Sequence, residues 1–192
     1  MRKTLLPARR SPPGGFTIIE LLITLTLVAI LNALAAPSMR EAMMSIRITS
    51  HTNDLMGDLA IARSEAVKRN VRMVLCASID GATCADGANW NQGWIVFPDV
   101  DADGAQDGGV PEEETLKSHA ALKGEPTIGL SCVGAANKRI TYRPTGMSSA
   151  ASAVFTICDS RTTTNAGRTI TINQTGRVVS ARGTCPITAT CP

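Results

Sequence analysis

Apolar and polar residues are arranged along this chain in three textures. From Phe16 to Ala36 the run FTIIELLITLTLVAILNALAA is apolar almost throughout. Its 21 residues would rise about 31 Å as a helix at ~1.5 Å each, matching the hydrocarbon core of a bilayer. From Ser38 to about Asn70 the pattern turns amphipathic. Met39, Met43 and Ile46, then Leu55, Leu59, Ala62 and Ala66, recur at three- and four-residue steps. Arg40, Glu41, Arg47, Asp58, Glu65 and Lys68 occupy much of the rest. Together the two stretches predict one helix over 17–69, membrane-embedded first (16–36) and then an amphipathic continuation (37–69). Pro37 marks an expected bend, because it lacks a backbone donor and crowds the preceding turn. Gly57 and the polar stretch Thr49–Asp54 lower helix propensity midway.

After Asn70 come short β-rich runs separated by Gly, Asp and Asn. The expected strands are Val71–Cys76, Trp94–Phe97, Thr127–Val133, Lys138–Tyr142, Ala153–Cys158, Arg168–Asn173 and Arg177–Ala181. RTITIN and RVVSA read as a hairpin, with Ile170 and Ile172 on one face and Gly176 supplying the turn. One helix followed by such strands predicts an α+β fold, in which an antiparallel β-sheet head (70–192) packs on the C-terminal half of the helix.

The net charge of +3 hides an uneven distribution. Arg2, Lys3, Arg9 and Arg10 lie in MRKTLLPARRSPPGG, which holds no acid. A secretory signal would place small residues after its apolar stretch; here Gly14-Gly15 comes before it. Cleavage at that point would remove a leader (1–15) and leave the apolar helix on the protein, starting at Phe16. The leader's charges orient the span with its C-terminal bulk outside the cytoplasm. Glu20 is the one acid in the apolar run, and a carboxylate in hydrocarbon costs several kcal/mol unless it has a partner or a function. The ammonium of a new N-terminus at Phe16 lies one helical turn away, and that of a neighbouring subunit could serve equally.

Gly15-Phe16-Thr17-Ile18-Ile19-Glu20-Leu21-Leu22 resembles the class III signal of type IV prepilins and type II secretion pseudopilins. The resemblance implies that a prepilin peptidase cuts after Gly15, that Phe16 is N-methylated, and that Glu20 pairs with a neighbour's N-terminus during assembly. Pro37 sits where pilins commonly carry a helix-kinking proline. Within that class the chain is similar to the GspH/FimT-type minor pilins and pseudopilins. That similarity is carried by Ala62-Arg63-Ser64-Glu65-Ala66 with Arg69-Asn70, by Gly93-Trp94-Ile95-Val96-Phe97 with Asp99, and by Gly176-Arg177-Val178. It implies a pilin-like fold and a structural part of a type IV pilus or type II secretion pseudopilus. The protein would sit in the inner membrane as a single-pass span with a periplasmic head, and partner other pilins through the helix.

Six Cys in an exported head are expected to be oxidised. Cys76 and Cys84 enclose a short loop and form the preferred first pair. Cys185 with Cys191 would leave Cys132 with Cys158; the alternative joins Cys158 to Cys185 and Cys132 to Cys191. Neither a CxxC nor a His cluster supports a metal centre. Asp99-Val100-Asp101-Ala102-Asp103-Gly104 reproduces the first half of a calcium loop, with Asp99, Asp101 and Asp103 as its candidate ligands. Val110 then stands where a bidentate Glu belongs, so an acidic, solvated turn is the expected reading. No nucleophile elbow, P-loop or dinucleotide fingerprint occurs in the sequence, so neither an enzyme nor a cofactor is expected.

The head's charge is polarised. Residues 70–125 carry Arg72, Lys117 and Lys123 against ten acids, whereas 126–192 carry Lys138, Arg139, Arg143, Arg161, Arg168, Arg177 and Arg182 against Asp159 alone. Either the two halves attract each other, or the basic one meets an anion. Some FimT-type proteins are DNA receptors with a Gly-Arg-x-Arg motif in this region. The resemblance therefore raises double-stranded DNA as a partner for uptake, through Lys138, Arg139, Arg143, Arg168, Arg177 and Arg182. Here the stretch reads Gly176-Arg177-Val178-Val179, and Arg182 is the candidate for the missing second Arg. Tyr142 is the one aromatic near these strands.

Overall fold

The computed structural model describes residues 15–85, 89–106, 113–123, 127–133, 139–150, 152–161 and 167–185. Residues 1–14 of the leader, Lys138, Cys191 and the Cys132 side chain lie outside them. Helix α1 runs Ile18–Arg69. Thr17 starts it, its hydroxyl accepting the Glu20 amide at 3.3 Å. Thr17-x-x-Glu20 is thus a capping-box sequence. Asn70, with φ 56°, ends the helix in the left-handed conformation that Asn tolerates. The helix continues through Pro37.

The chain divides into two units, one up to Ala42 and one from Met43 onward. In the second, α1 buries Ile48, Thr52, Leu55, Asp58, Leu59, Ala62 and Ala66. Leu55, Leu59, Ala62 and Ala66 were expected on that face. Met43 and Ile46 were too, yet they are 55% and 67% exposed, as is Met39 in the first unit. The buried stripe instead runs back through Thr52 to Ile48. Thr52 fits there because its hydroxyl donates to the Ile48 carbonyl at 2.7 Å, which removes the cost of burying it.

The strands are β1 (Arg72–Ala77), β2 (Trp94–Asp99), β3 (Lys117–His119), β4 (Thr127–Val133), β5 (Ile140–Tyr142), β6 (Ser152–Cys158), β7 (Gly167–Asn173) and β8 (Val178–Gly183). They form an antiparallel β head on the helix, divided into two sheets ordered β3-β2-β1-β5 and β4-β6-β7-β8. One apolar core joins both sheets to α1. β1 is buried on both sides. Met73, Leu75 and Ala77 enter that core, while Val74 and Cys76 form a second cluster with Ile95 and Phe97, against which Cys84 packs. A short 3-10 turn, Trp90–Gln92, plugs the core with Trp90, whose indole meets Phe155 edge-on at 4.8 Å.

The β7–β8 hairpin aligns Ile172 with Val178 and Gly167 with Gly183. Its turn is held by Asn173, whose side-chain oxygen accepts from the Arg177 amide and the Thr175 hydroxyl. Gly176 sits at φ 75°.

Candidate functional site

Two surfaces carry the chemistry expected from the sequence. The first is the exposed helix. Phe16, Ile18, Ile19, Leu21, Leu22, Leu25, Leu31 and Leu34 are all more than half exposed. This is the one helix among the described residues that is long and apolar enough to cross a membrane. Its few polar side chains are satisfied within it: Thr24, Thr26 and Asn32 donate to the carbonyls of Leu21, Ile23 and Val28 at 2.8–2.9 Å. An apolar phase therefore meets no orphaned donor on them. Glu20 differs. Its backbone amide is capped, but its carboxylate has no partner among the described residues.

The second surface is basic. Arg168 and Arg182 are directly opposed across β7 and β8, on the strand face that also carries Ile170 and Ile172. Arg177 precedes β8 at its other end. Arg177 and Arg182, five residues apart in sequence, are about 16 Å apart along the strand at ~3.3 Å per residue, and on opposite faces. Arg182 therefore does not replace the second Arg of a Gly-Arg-x-Arg motif. Arg139 is placed at the acidic turn, where its guanidinium donates to the Gly104 carbonyl. Tyr142 is fully buried and offers no stacking face.

What the fold does bring together is two loop tips. Ser148 donates its amide to the Gln174 carbonyl at 3.0 Å. Arg63 of α1 ties both loops down, donating Nε to the Gly146 carbonyl at 3.0 Å and Nη2 to the Thr175 carbonyl at 3.1 Å. Exposed Arg143 and Arg177 flank this junction. The Arg63 joint had a signal in the sequence, the Ala62-Arg63-Ser64-Glu65-Ala66 motif, but its carbonyl partners are far along the chain.

Residues 51–176 match the family described as type II transport protein GspH, and residues 10–36 match the prokaryotic N-terminal methylation motif. The chain belongs to the GspH family. It is thus a minor pilin or pseudopilin of the type IV pilus and type II secretion class, a structural rather than enzymatic family. Among solved structures, the minor pseudopilin EpsH of the Vibrio cholerae type II secretion system is similar at 9% identity and a TM-score of 0.51, covering 74% of this chain and 99% of that one. The type IV minor pilin FimU of Pseudomonas aeruginosa is similar at 23% identity and a TM-score of 0.49, covering 69% and 86%. No curated protein matches the chain.

In this GspH-family head, disulfides join Cys76 to Cys84 and Cys158 to Cys185. The second bond excludes the arrangement of Cys185 with Cys191 and Cys132 with Cys158. It also has a geometric reason, since Gly167 lies directly under the bridge, where a Cβ would come within 2.7 Å of the Cys185 sulfur. The Cys76–Cys84 loop is pre-shaped by Asp80, which accepts from the Thr83 and Ala82 amides and from the Thr83 and Ser78 hydroxyls. These donors, the Thr83 amide foremost, hold its carboxyl well below the usual range.

Two features of the head were not anticipated. Asp58, 1% exposed, accepts from Trp94 Nε1 at 2.7 Å and pairs with Lys117. His119 stacks on the same indole at 3.9 Å and lies 3.8 Å from Asp54. In the acidic turn, Asp103 accepts from the Ala105 amide, while Asp99 and Asp101 converge instead with Glu113. Burial pushes the Asp99 carboxyl upward, against the Gly104 amide and Arg72.

Proposed function

We propose that this chain is cut between Gly15 and Phe16 by a prepilin peptidase, held in the inner membrane by residues 16–36, and drawn into a periplasmic filament with other pilins. The observation that carries this reading is the unpartnered Glu20 carboxylate at the start of an otherwise self-satisfied apolar helix. Replacing Glu20 with Val should leave membrane insertion intact or ease it, since a costly carboxylate is gone. The variant should nevertheless reach sheared filaments more than about tenfold less than wild type, equivalent to ~1.4 kcal/mol of lost pairing. Immunoblots of membrane and filament fractions measure both quantities, and equal recovery would reduce Glu20 to a helix-capping residue.

A second reading rests on the loop junction, which offers Arg143 and Arg177 as a phosphate-binding pair for DNA uptake. Contacts there would be to the backbone and indifferent to sequence, because no aromatic is presented. Arg143→Gln and Arg177→Gln should each weaken duplex binding and lower the salt slope by about 1. Arg182→Gln, on the other face and far end of β8, should change little. Fluorescence anisotropy with the purified chain in detergent tests this, and no binding at low salt leaves the head structural.

A further inference from the structure

We propose that the turn after β2 is a calcium site formed by Asp99, Asp101 and Glu113. One carboxylate oxygen from each lies within 4.8 Å of the others. Two of the three are out of solvent, Asp99 at 2% and Glu113 at 0% exposure. Glu113 Oε1 is occupied, accepting the Val100 amide at 2.8 Å. Its other oxygen, Oε2, is buried without a hydrogen-bond partner among the described residues. A buried carboxylate oxygen left bare is costly, and native structures rarely keep one without an ion, a water or a proton on it. Glu113 belongs to the same cluster as Asp99 and Asp101, so a single cation there would lie within reach of all three residues.

The chemistry of the donors selects the ion. All are carboxylate oxygens, with no His or Cys among them, which favours a hard cation over zinc or copper. The backbone of the turn already follows the first half of a calcium loop. Asp99 Oδ1 accepts the Gly104 amide at 3.0 Å, the first-to-sixth-residue bond, and Gly104 takes the positive φ of 76°. The acid expected at the twelfth position is missing, where Val110 stands. Glu113 supplies it from slightly further along the chain. The structure thus revises the ligand set read from spacing: Asp103 lies outside the converging group, and Glu113 enters it. Among the described residues, Arg72 acts on the Asp99 carboxyl, and Arg139 donates to the Gly104 carbonyl. Neither is hydrogen-bonded to Glu113 Oε2.

The purified full chain in detergent, stripped with chelator, should bind calcium chloride by isothermal titration with a Kd of about 10⁻⁴–10⁻³ M, as extracellular calcium modules do. It should also melt at a higher temperature in the presence of the metal. Glu113→Gln should weaken binding at least about tenfold, the loss of one charged ligand. Asp101→Asn serves as the second variant: Asp101 is exposed, so its replacement leaves the fold intact while also weakening binding. No heat and no thermal shift at about 10 mM calcium, a concentration above the range of such sites, would overturn the proposal. So would unchanged affinity in both variants. An equal response to magnesium chloride would overturn the assignment to calcium.

Discussion

Asp58→Ala should destabilise the head by about 2–4 kcal/mol, enough to lower its melting temperature by roughly 4–16 °C for a domain of this size. Asp58 stands on the buried face of α1 and receives the Trp94 indole N–H and the Lys117 ammonium together. Removing it strands the indole donor, which is fully buried, at a cost of about 1–3 kcal/mol. Lys117 is 45% exposed and turns to water, so the loss stays below that of a fully buried pair. Asp58→Asn keeps an acceptor for Trp94 and should cost about half as much, losing the ionic contribution alone. Adding Trp94→Phe to Asp58→Ala removes the stranded donor, so the two effects should sum to less than their parts. Urea denaturation of the wild type, the three single variants Asp58→Ala, Asp58→Asn and Trp94→Phe, and the double variant measures this. A loss under about 0.5 kcal/mol for Asp58→Ala would show that the carboxylate is incidental.

Gly176→Ala should be comparably damaging, at about 2–4 kcal/mol, for a different reason. Its φ of 75° already disfavours any Cβ. The added atom would also lie 2.1 Å from the Gly146 carbonyl oxygen and 3.1 Å from Arg63 Nε. Backbone must move, and the junction that Arg63 and the Ser148–Gln174 bond hold closed must open. The same substitution at Gly57 should act in the opposite direction. Gly57 is helical with nothing within 4 Å of a would-be Cβ, so Ala there should stabilise by about 0.4–1 kcal/mol. Thermal melts by circular dichroism decide both signs, and a neutral Gly176→Ala would show that the two loops adapt.

The parts of the fold legible in the sequence were those with a local signal. The helix from Ile18 to Arg69 followed from apolar runs and three-to-four spacing, and the β7–β8 hairpin from alternation around Gly176. β3 was not legible, because Lys117-Ser118-His119 is polar throughout and mostly exposed. Its place makes sense only beside Asp58 and Asp54, which the linear sequence places about sixty residues away. The division into two sheets was hidden for a similar reason: β5 pairs with β1 and β4 with β6, and those choices depend on the shared core rather than on any strand alone. At the candidate sites, Gly15, Phe16 and Glu20 form one contiguous motif and could be read directly. The basic set could not. Charge counts ignore strand parity, which separates Arg177 from Arg182, and they do not show that Arg139 turns toward the acidic turn.

Among the described residues, β8 is the edge strand of its sheet, fastened by hydrogen bonds to β7 alone. Edge strands under tension unzip one bond at a time, each rupture needing little force. The Cys158–Cys185 bond changes that outcome. It skips β7 and ties the residues just past β8 covalently to the end of β6. A pull on the chain beyond Cys185 is therefore borne by an interior strand held on both sides, and the sheet must shear as a block before β8 can peel.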